Sequence, residues 1–168
     1  MSVIMQLPEG LEWAAHSCAL MASLPGTPLP VRILAEFFDL PEPYLGKQLQ
    51  KLSAAGIVKT RRGPSGGYML ADAPENISLL QIVEAVDGPT KTFKCTEIRA
   101  RGPSAVAAGN YLRPCGIARA MWAADAAWRR ALAEVSLHEL VRRGMAETPP
   151  EQVERGAEWI RMKLQKTT

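Results

Sequence analysis

The sequence of 168 residues is short of cysteine and histidine, with three and two respectively. An odd number of cysteines (Cys18, Cys95, Cys115) argues against a disulfide framework, which leaves metal or redox chemistry as the better use for them. No apolar run approaches the roughly 18 residues needed to span a bilayer, so no membrane partner is expected. The N-terminus lacks a basic region followed by an apolar core and a small-residue cleavage site, which points to a cytoplasmic location. There is no internal repeat and no low-complexity tract. The net charge of +3 is too small to carry an argument by itself.

The distribution of that charge says more. Between Lys47 and Arg62 there are five basic residues and no acidic one, while the rest of the first 93 residues holds two basic and nine acidic. A generic surface mixes signs; a face that binds phosphates looks like this stretch. The bland alternative is a solvated face beside a structural hairpin.

Periodicity predicts a first helix over residues 8–24, stopped by the prolines and glycine of "LPGTPLP". A second follows at "PVRILAEFF", then the break "DLPE", then a third from Tyr44 to Ala55 with Leu45, Leu49 and Leu52 inward. Gly56 supplies the helix stop. "IVKTRR", the turn "GPSGG" and "YML" read as a hairpin. The expected fold is therefore mainly α with a small β-hairpin wing: a winged helix-turn-helix. "SLLQIVEAV" is a further helix with Ser78 as N-cap. After an irregular stretch comes a long helix from about Cys115 to Glu134. Its apolar face (Ile117, Met121, Ala124, Trp128, Ala131, Leu132) is wider than one small domain covers, so a partner helix is implied. "SLHELVRRGM" and "TPPEQVERGAEWIRMKLQK" give two last helices. The expected organisation is residues 1–89 as the winged-helix domain, 90–114 as a loop, 115–145 as the long-helix region and 146–168 as the C-terminal helix.

Within the first helix, "GLEWAAHSC" places Glu12 and His16 four positions apart, about 40° around the axis. They are either a solvated ion pair or two convergent ligands. Cys18 points about 200° away from His16 and is expected in the core. His138 has no partner visible in the sequence. Cys95 and Cys115, taken alone, are either ordinary thiols or metal ligands.

The run "PYLGKQLQKLSAAGIVKTRRGPSGGYMLADAPENISLLQIVEAVDG" resembles the winged-helix core of the Rrf2-type bacterial transcription regulators, and the resemblance extends over about residues 10–140. Its most specific part is "AGIVKTRRGPSGGYML". The resemblance implies a homodimer crossing through the long helix, a palindromic double-stranded DNA operator, and an iron-sulfur cluster near the dimer interface. The pattern of three closely spaced cysteines common in the family is not present. "GLEWAAHSC", "CTEIRARGP" and "PCGIARAMWAADAAWR" are instead similar to the redox-sensing RsrR-like branch. That similarity implies a 2Fe-2S cluster held by Glu12, His16, Cys95 and Cys115. The donor count suits such a cluster, and a thiolate at Cys115 would be favoured by a helix N-terminus.

For DNA, the expected contacts are Tyr44, Lys47, Gln48 and Lys51 on the recognition helix, and Arg61 and Arg62 leading into the wing. Ser65 and the amides of Gly66 and Gly67 are expected on the backbone. Two departures from the family leave base preference open: Pro41 stands where a Ser-like N-cap is usual, and Gly46 where a larger, often acidic residue is common. Three functions follow in order. The first is a redox-sensing transcriptional regulator, a repressor on family grounds. The second is a regulator of the same fold holding zinc or nothing, and the third is an iron-sulfur electron carrier or enzyme. No catalytic constellation supports the last.

Overall fold

The computed structural model describes residues 9–89 and 93–166. Residue 8 of the expected first helix, the first three residues of the expected loop and the last two of the chain lie outside that range. Helix α1 (Glu9–Ala22) is the centre of the fold. Leu11, Ala14, Cys18 and Met21 recur at helical spacing and are all buried, whereas Glu12 and His16 come round on the exposed side. On its buried face α1 packs against α3 (Glu42–Ala54), α4 (Leu79–Asp87) and α6 (Leu137–Glu147).

Helix α2 (Val31–Phe38) ends where Asp39 takes a left-handed conformation, φ 53°, and the Leu40 N–H returns to the Ala35 carbonyl at 2.9 Å. Asp tolerates that region better than most residues. Helix α3 runs Glu42–Ala54, two residues earlier than expected, with Pro43 inside its first turn. The reason is local: a first-turn residue has no intrahelical partner for its N–H, so proline loses nothing there. Gly56, at φ 73°, closes α3. The Ile57 N–H reaches Leu52 O and the Gly56 N–H reaches Ser53 O, both at 3.0 Å, which is a Schellman closure.

Strands β1 (Val58–Arg61) and β2 (Gly67–Leu70) pair antiparallel, with Val58 opposite Leu70 and Arg61 opposite Gly67. This hairpin is fastened at its root. Leu29 and Tyr68 exchange two backbone hydrogen bonds of 2.8 Å. A Cβ on Gly67 would stand 2.4 Å from the Leu29 carbonyl carbon, so only glycine lets the strand approach so closely.

Helix α4 (Leu79–Asp87) opens on a capping box: Ser78 Oγ accepts from the Gln81 N–H at 3.3 Å, and Gln81 Oε1 accepts from the Ser78 N–H at 2.7 Å. Two 3-10 turns, Ile98–Ala100 and Ala108–Asn110, punctuate the stretch before α5 (Gly116–Ala133). Arg129 fastens α5 to α4 by bridging Asp125 at 3.0 Å and Glu84 at 2.5 Å. The expected apolar face of α5 divides in two. Trp128 and Leu132 are half-buried against the core, while Ile117 is 70% and Met121 41% exposed.

Helix α6 (Leu137–Glu147) is capped by Ser136, and α7 (Pro150–Gln165) folds back onto α2. Ile160 is buried, the Trp159 ring lies 5.8 Å from Phe37, and Lys163 pairs with Glu36. That lysine's hydrogen bond holds the Glu36 carboxyl below its ordinary pKa. Phe37 meets Phe38 edge-on at 4.9 Å, and Phe38 meets His16 at 5.9 Å. Among the described residues no helix is long and apolar enough to cross a membrane.

Candidate functional site

Helix α3 buries Leu45, Leu49 and Leu52 and leaves the opposite side open. At 100° per residue the centre of that open side is held by Pro43, Lys47, Gln50 and Ala54, all exposed. Tyr44 flanks it, 59% exposed, with Lys47 Nζ 5.2 Å from its ring centroid. Gln50 was missed by the sequence reading, although the helical wheel places it opposite the leucine stripe.

Two of the residues expected to face outward also engage their own chain. Gln48 lies about 60° from Leu45 around the helix, beside the buried stripe. It is half-buried against α1, where a Cβ on Gly10 would meet its side chain at 2.7 Å. Its Oε1 is buried and finds no partner among the described residues. Lys51 sends Nζ to the Val86 carbonyl at 2.7 Å, so its charge sits at the negative end of α4.

In the wing, Lys59, Thr60, Arg61 and Arg62 are exposed in succession. Arg61 Nη2 donates to the Ser65 carbonyl at 3.1 Å, which closes the tip and leaves the Ser65 side chain outside. The two glycines are steric requirements first. A Cβ on Gly66 would lie 2.3 Å from Arg61 O, and the Gly66 N–H is already bonded to Gly63 O at 2.9 Å. The Gly66 N–H, expected at a DNA backbone, is thus engaged within the turn.

The four candidate metal ligands fall into two pairs. Glu12 and His16 share the exposed side of α1. Cys95 and Cys115 are half-buried free thiols with matching backbone support. Cys95 Sγ accepts from the Glu97 N–H at 3.4 Å, and Cys115 Sγ, at the N-cap of α5, accepts from the Ala118 N–H at 3.3 Å. Backbone N–H···S contacts of this kind are also made to metal-bound sulfurs, where they tune the cluster. Among the described residues no three His, Cys, Asp or Glu side chains come together as a metal-holding group. The quartet is thus not united within one chain.

The remaining candidates behave simply. Cys18 is fully buried, and burial pushes its thiol up to about 12, which leaves it inert as a packing residue. His138 does have a partner: its Nδ1 lies 3.0 Å from Glu75 Oε1. No sequence signal links those two residues, because the contact depends on how α6 docks beside the Pro74–Asn76 turn.

Comparison with known proteins gives consistent matches. A family model, Rrf2, described as "Iron-dependent Transcriptional regulator", matches residues 7–143. The chain is 35% identical over 68 residues to the HTH-type transcriptional regulator IscR of Aliivibrio salmonicida, covering 40% of each protein. It is 33% identical over 70 residues to the HTH-type transcriptional regulator CymR of Bacillus subtilis, covering 42% of this chain and 51% of that one. The chain spans about half the length of the curated relatives it matches. Among solved structures, CymR of B. subtilis has a TM-score of 0.66 at 22% identity, covering 83% of this chain and 98% of that one. IscR of T. potens has 0.63 at 20%, covering 86% and 93%. At these identities the structural likeness is one of fold: mostly helical with a two-stranded wing.

Proposed function

The chain belongs to the Rrf2 family of transcriptional regulators, and from that premise we propose that it binds double-stranded DNA as a homodimer under the control of a 2Fe-2S cluster's oxidation state. The observation that carries the proposal is the pair of half-sites. Glu12 and His16 are two donors on the exposed side of α1, and Cys95 and Cys115 are two half-buried thiols that each accept a backbone N–H. Because one chain does not unite them, the natural arrangement is two ligands from one protomer and two from its partner. The exposed Ile117 and Met121 on α5 are the surface on which the partner would sit.

The donor set fits such a cluster: two thiolates with an imidazole and a carboxylate. Replacing two thiolates by less electron-rich ligands raises the reduction potential, as histidines do in Rieske centres. When bound, the cluster would supply reversible one-electron chemistry. The chain's own contribution is mechanical. α1 carries Glu12 and His16 and packs on α3, so any displacement of α1 is felt by the recognition helix. Dimers read half-sites about 34 Å apart in successive major grooves, so a small change in that spacing abolishes simultaneous docking.

On the DNA side, the exposure of Tyr44, Lys47 and Gln50 supports their entering the major groove, with the exposed Lys59, Arg61, Arg62 and Ser65 along the flanking phosphates or minor groove. Gln48 and Lys51 act one step back, by holding α3 against α1 and α4. The proposed operator is palindromic and the proposed action repression.

Anaerobic purification with a visible absorption spectrum tests the cluster. A coloured protein that loses its spectrum on Glu12→Ala or His16→Ala is the expected result; a colourless protein overturns it. Gel shifts of oxidised, reduced and metal-free protein test the switch, and equal affinity in all three forms would defeat it. A second reading is a regulator of the same fold with zinc or no metal. The observation favouring it is the donor set, since a mixture of carboxylate, imidazole and two thiolates also suits tetrahedral zinc, and one zinc per colourless chain would establish it.

A further inference from the structure

We propose that Arg99 is the positioning residue that joins the two cysteine-bearing stretches into a single site. Nineteen residues separate Cys95 from Cys115, and none of the described side chains from Phe93 to Gly116 is buried, so no hydrophobic core holds this segment in shape. One guanidinium does. Arg99 Nε lies 2.5 Å from Glu97 Oε1 and Nη2 lies 2.9 Å from Glu97 Oε2, a two-pronged ion pair. The same Nη2 also donates to the Arg113 carbonyl at 3.0 Å. Glu97 is two residues after Cys95, and Arg113 two residues before Cys115. A single side chain therefore reaches the neighbourhood of both sulfurs.

The rest of the segment is organised around the same residue. The Tyr111 hydroxyl donates to the Arg99 carbonyl at 2.6 Å, and the guanidinium stands 5.0 Å from the Tyr111 ring centroid. The Val106 N–H completes the knot by donating to the Tyr111 hydroxyl at 3.3 Å. Glu97 is held at φ 48°, a conformation that non-glycine residues seldom adopt. The Glu97 N–H also donates to Cys95 Sγ at 3.4 Å. The ion pair to Arg99 fixes the Glu97 side chain at the same time. An isolated surface ion pair contributes little, but a bidentate one tied into a network specifies geometry. The Arg99 guanidinium, bonded to the Arg113 carbonyl two residues before Cys115, places a fixed cation near that end of the segment. Lysine reproduces the charge and not the fork.

The test has two independent arms. In metal-free protein, hydrogen exchange over residues 96–113 reports the loop directly. Arg99→Gln is expected to raise exchange there about tenfold, with amides of α3 unchanged as proof of an intact fold. Arg99→Lys should loosen the loop equally. In anaerobically loaded protein, Arg99→Gln is expected to retain less iron and to reduce at a lower potential, because a stabilising positive charge has gone; Arg99→Lys should keep the wild-type potential. Wild-type exchange in Arg99→Gln, or full restoration of protection by lysine, would overturn the proposal. The second arm rests on the proposed cluster, and the two failures are distinguishable. If Cys95→Ala and Cys115→Ala keep the wild-type spectrum, the ligand assignment fails, while the exchange arm still decides the role of Arg99.

Discussion

Between Glu9 and Pro89 every α-helix has a buried face: Leu11 to Met21 on α1, Ile33 to Ala35 on α2, the leucine stripe on α3, and Ile82, Val83 and Val86 on α4. Between Phe93 and Ala133 the only buried side chain among those described is Ala118. The first region closes through apolar packing, completed by Leu137 of α6 and Ile160 of α7. The second is held by polar fastenings at Arg99 and Arg129 and by the contacts of Trp128 and Leu132 with the core. On the proposed function the first region is the head that reads DNA, which has to keep one shape to fit a groove, and apolar close packing supplies that rigidity. The second region would present the proposed ligands and dimer surface, and there the chain leaves apolar surface open at Ile117 and Met121.

The largest effects should separate the two regions. Leu49→Ala is expected to destabilise the fold by about 2–5 kcal/mol in urea unfolding, because it opens a cavity in the α1–α3 core. Ile117→Ala should cost a monomer less than about 0.5 kcal/mol, while Ile117→Glu should shift sedimentation from dimer to monomer. Similar unfolding costs at Leu49 and Ile117 would break the contrast. Thiol labelling of native, metal-free protein sharpens it: Cys18, raised to about 12 by burial, should react about a thousandfold more slowly than an ordinary exposed thiol. Cys95 and Cys115 should be labelled first. Rapid modification of Cys18 would mean that the head opens readily.

Smaller effects divide the head itself. Lys47→Ala should weaken DNA binding across all sequences and lower the salt-dependence slope by about 1. Lys51→Ala should instead cost about 1 kcal/mol of stability, through the lost bond to Val86 O. The smallest effect lies outside both regions. Hydrogen bonds from Arg142 and then Arg143 hold the Glu139 carboxyl down to about 2. A depressed carboxylate stabilises the fold above its unfolded value, about 4.3, and that contribution is lost as pH falls toward 2. Glu139→Gln should therefore flatten the acid limb of a stability profile, by an amount that solvent screening keeps small.

What was legible in the sequence follows the same division. The helices of the head were readable because burial imposes a period, and the wing because strand, basic residues and paired glycines occur in order. The early start of α3 at Glu42 was hidden by two prolines, which read as a break although the first turn accepts one. Within the expected set Tyr44, Lys47, Gln48 and Lys51, the sequence could not show that Gln48 and Lys51 also contact their own chain. Periodicity gives the buried stripe, but the flanks depend on neighbours such as Gly10 and Val86 that are distant in the chain. Arg99 gave no signal at all: ion pairs and carbonyl contacts in an irregular loop have no period to read.

The close seating of Gly67 on Leu29, with the reciprocal bonds between Leu29 and Tyr68, bears on how such a regulator is re-engineered. A hairpin transplanted from another regulator would arrive without its mortise. The exchangeable cassette is only the tip, residues 62–65; a donor wing taken any deeper must bring its own counterpart of Leu29 and Pro30, or the graft will splay away from the body of the head.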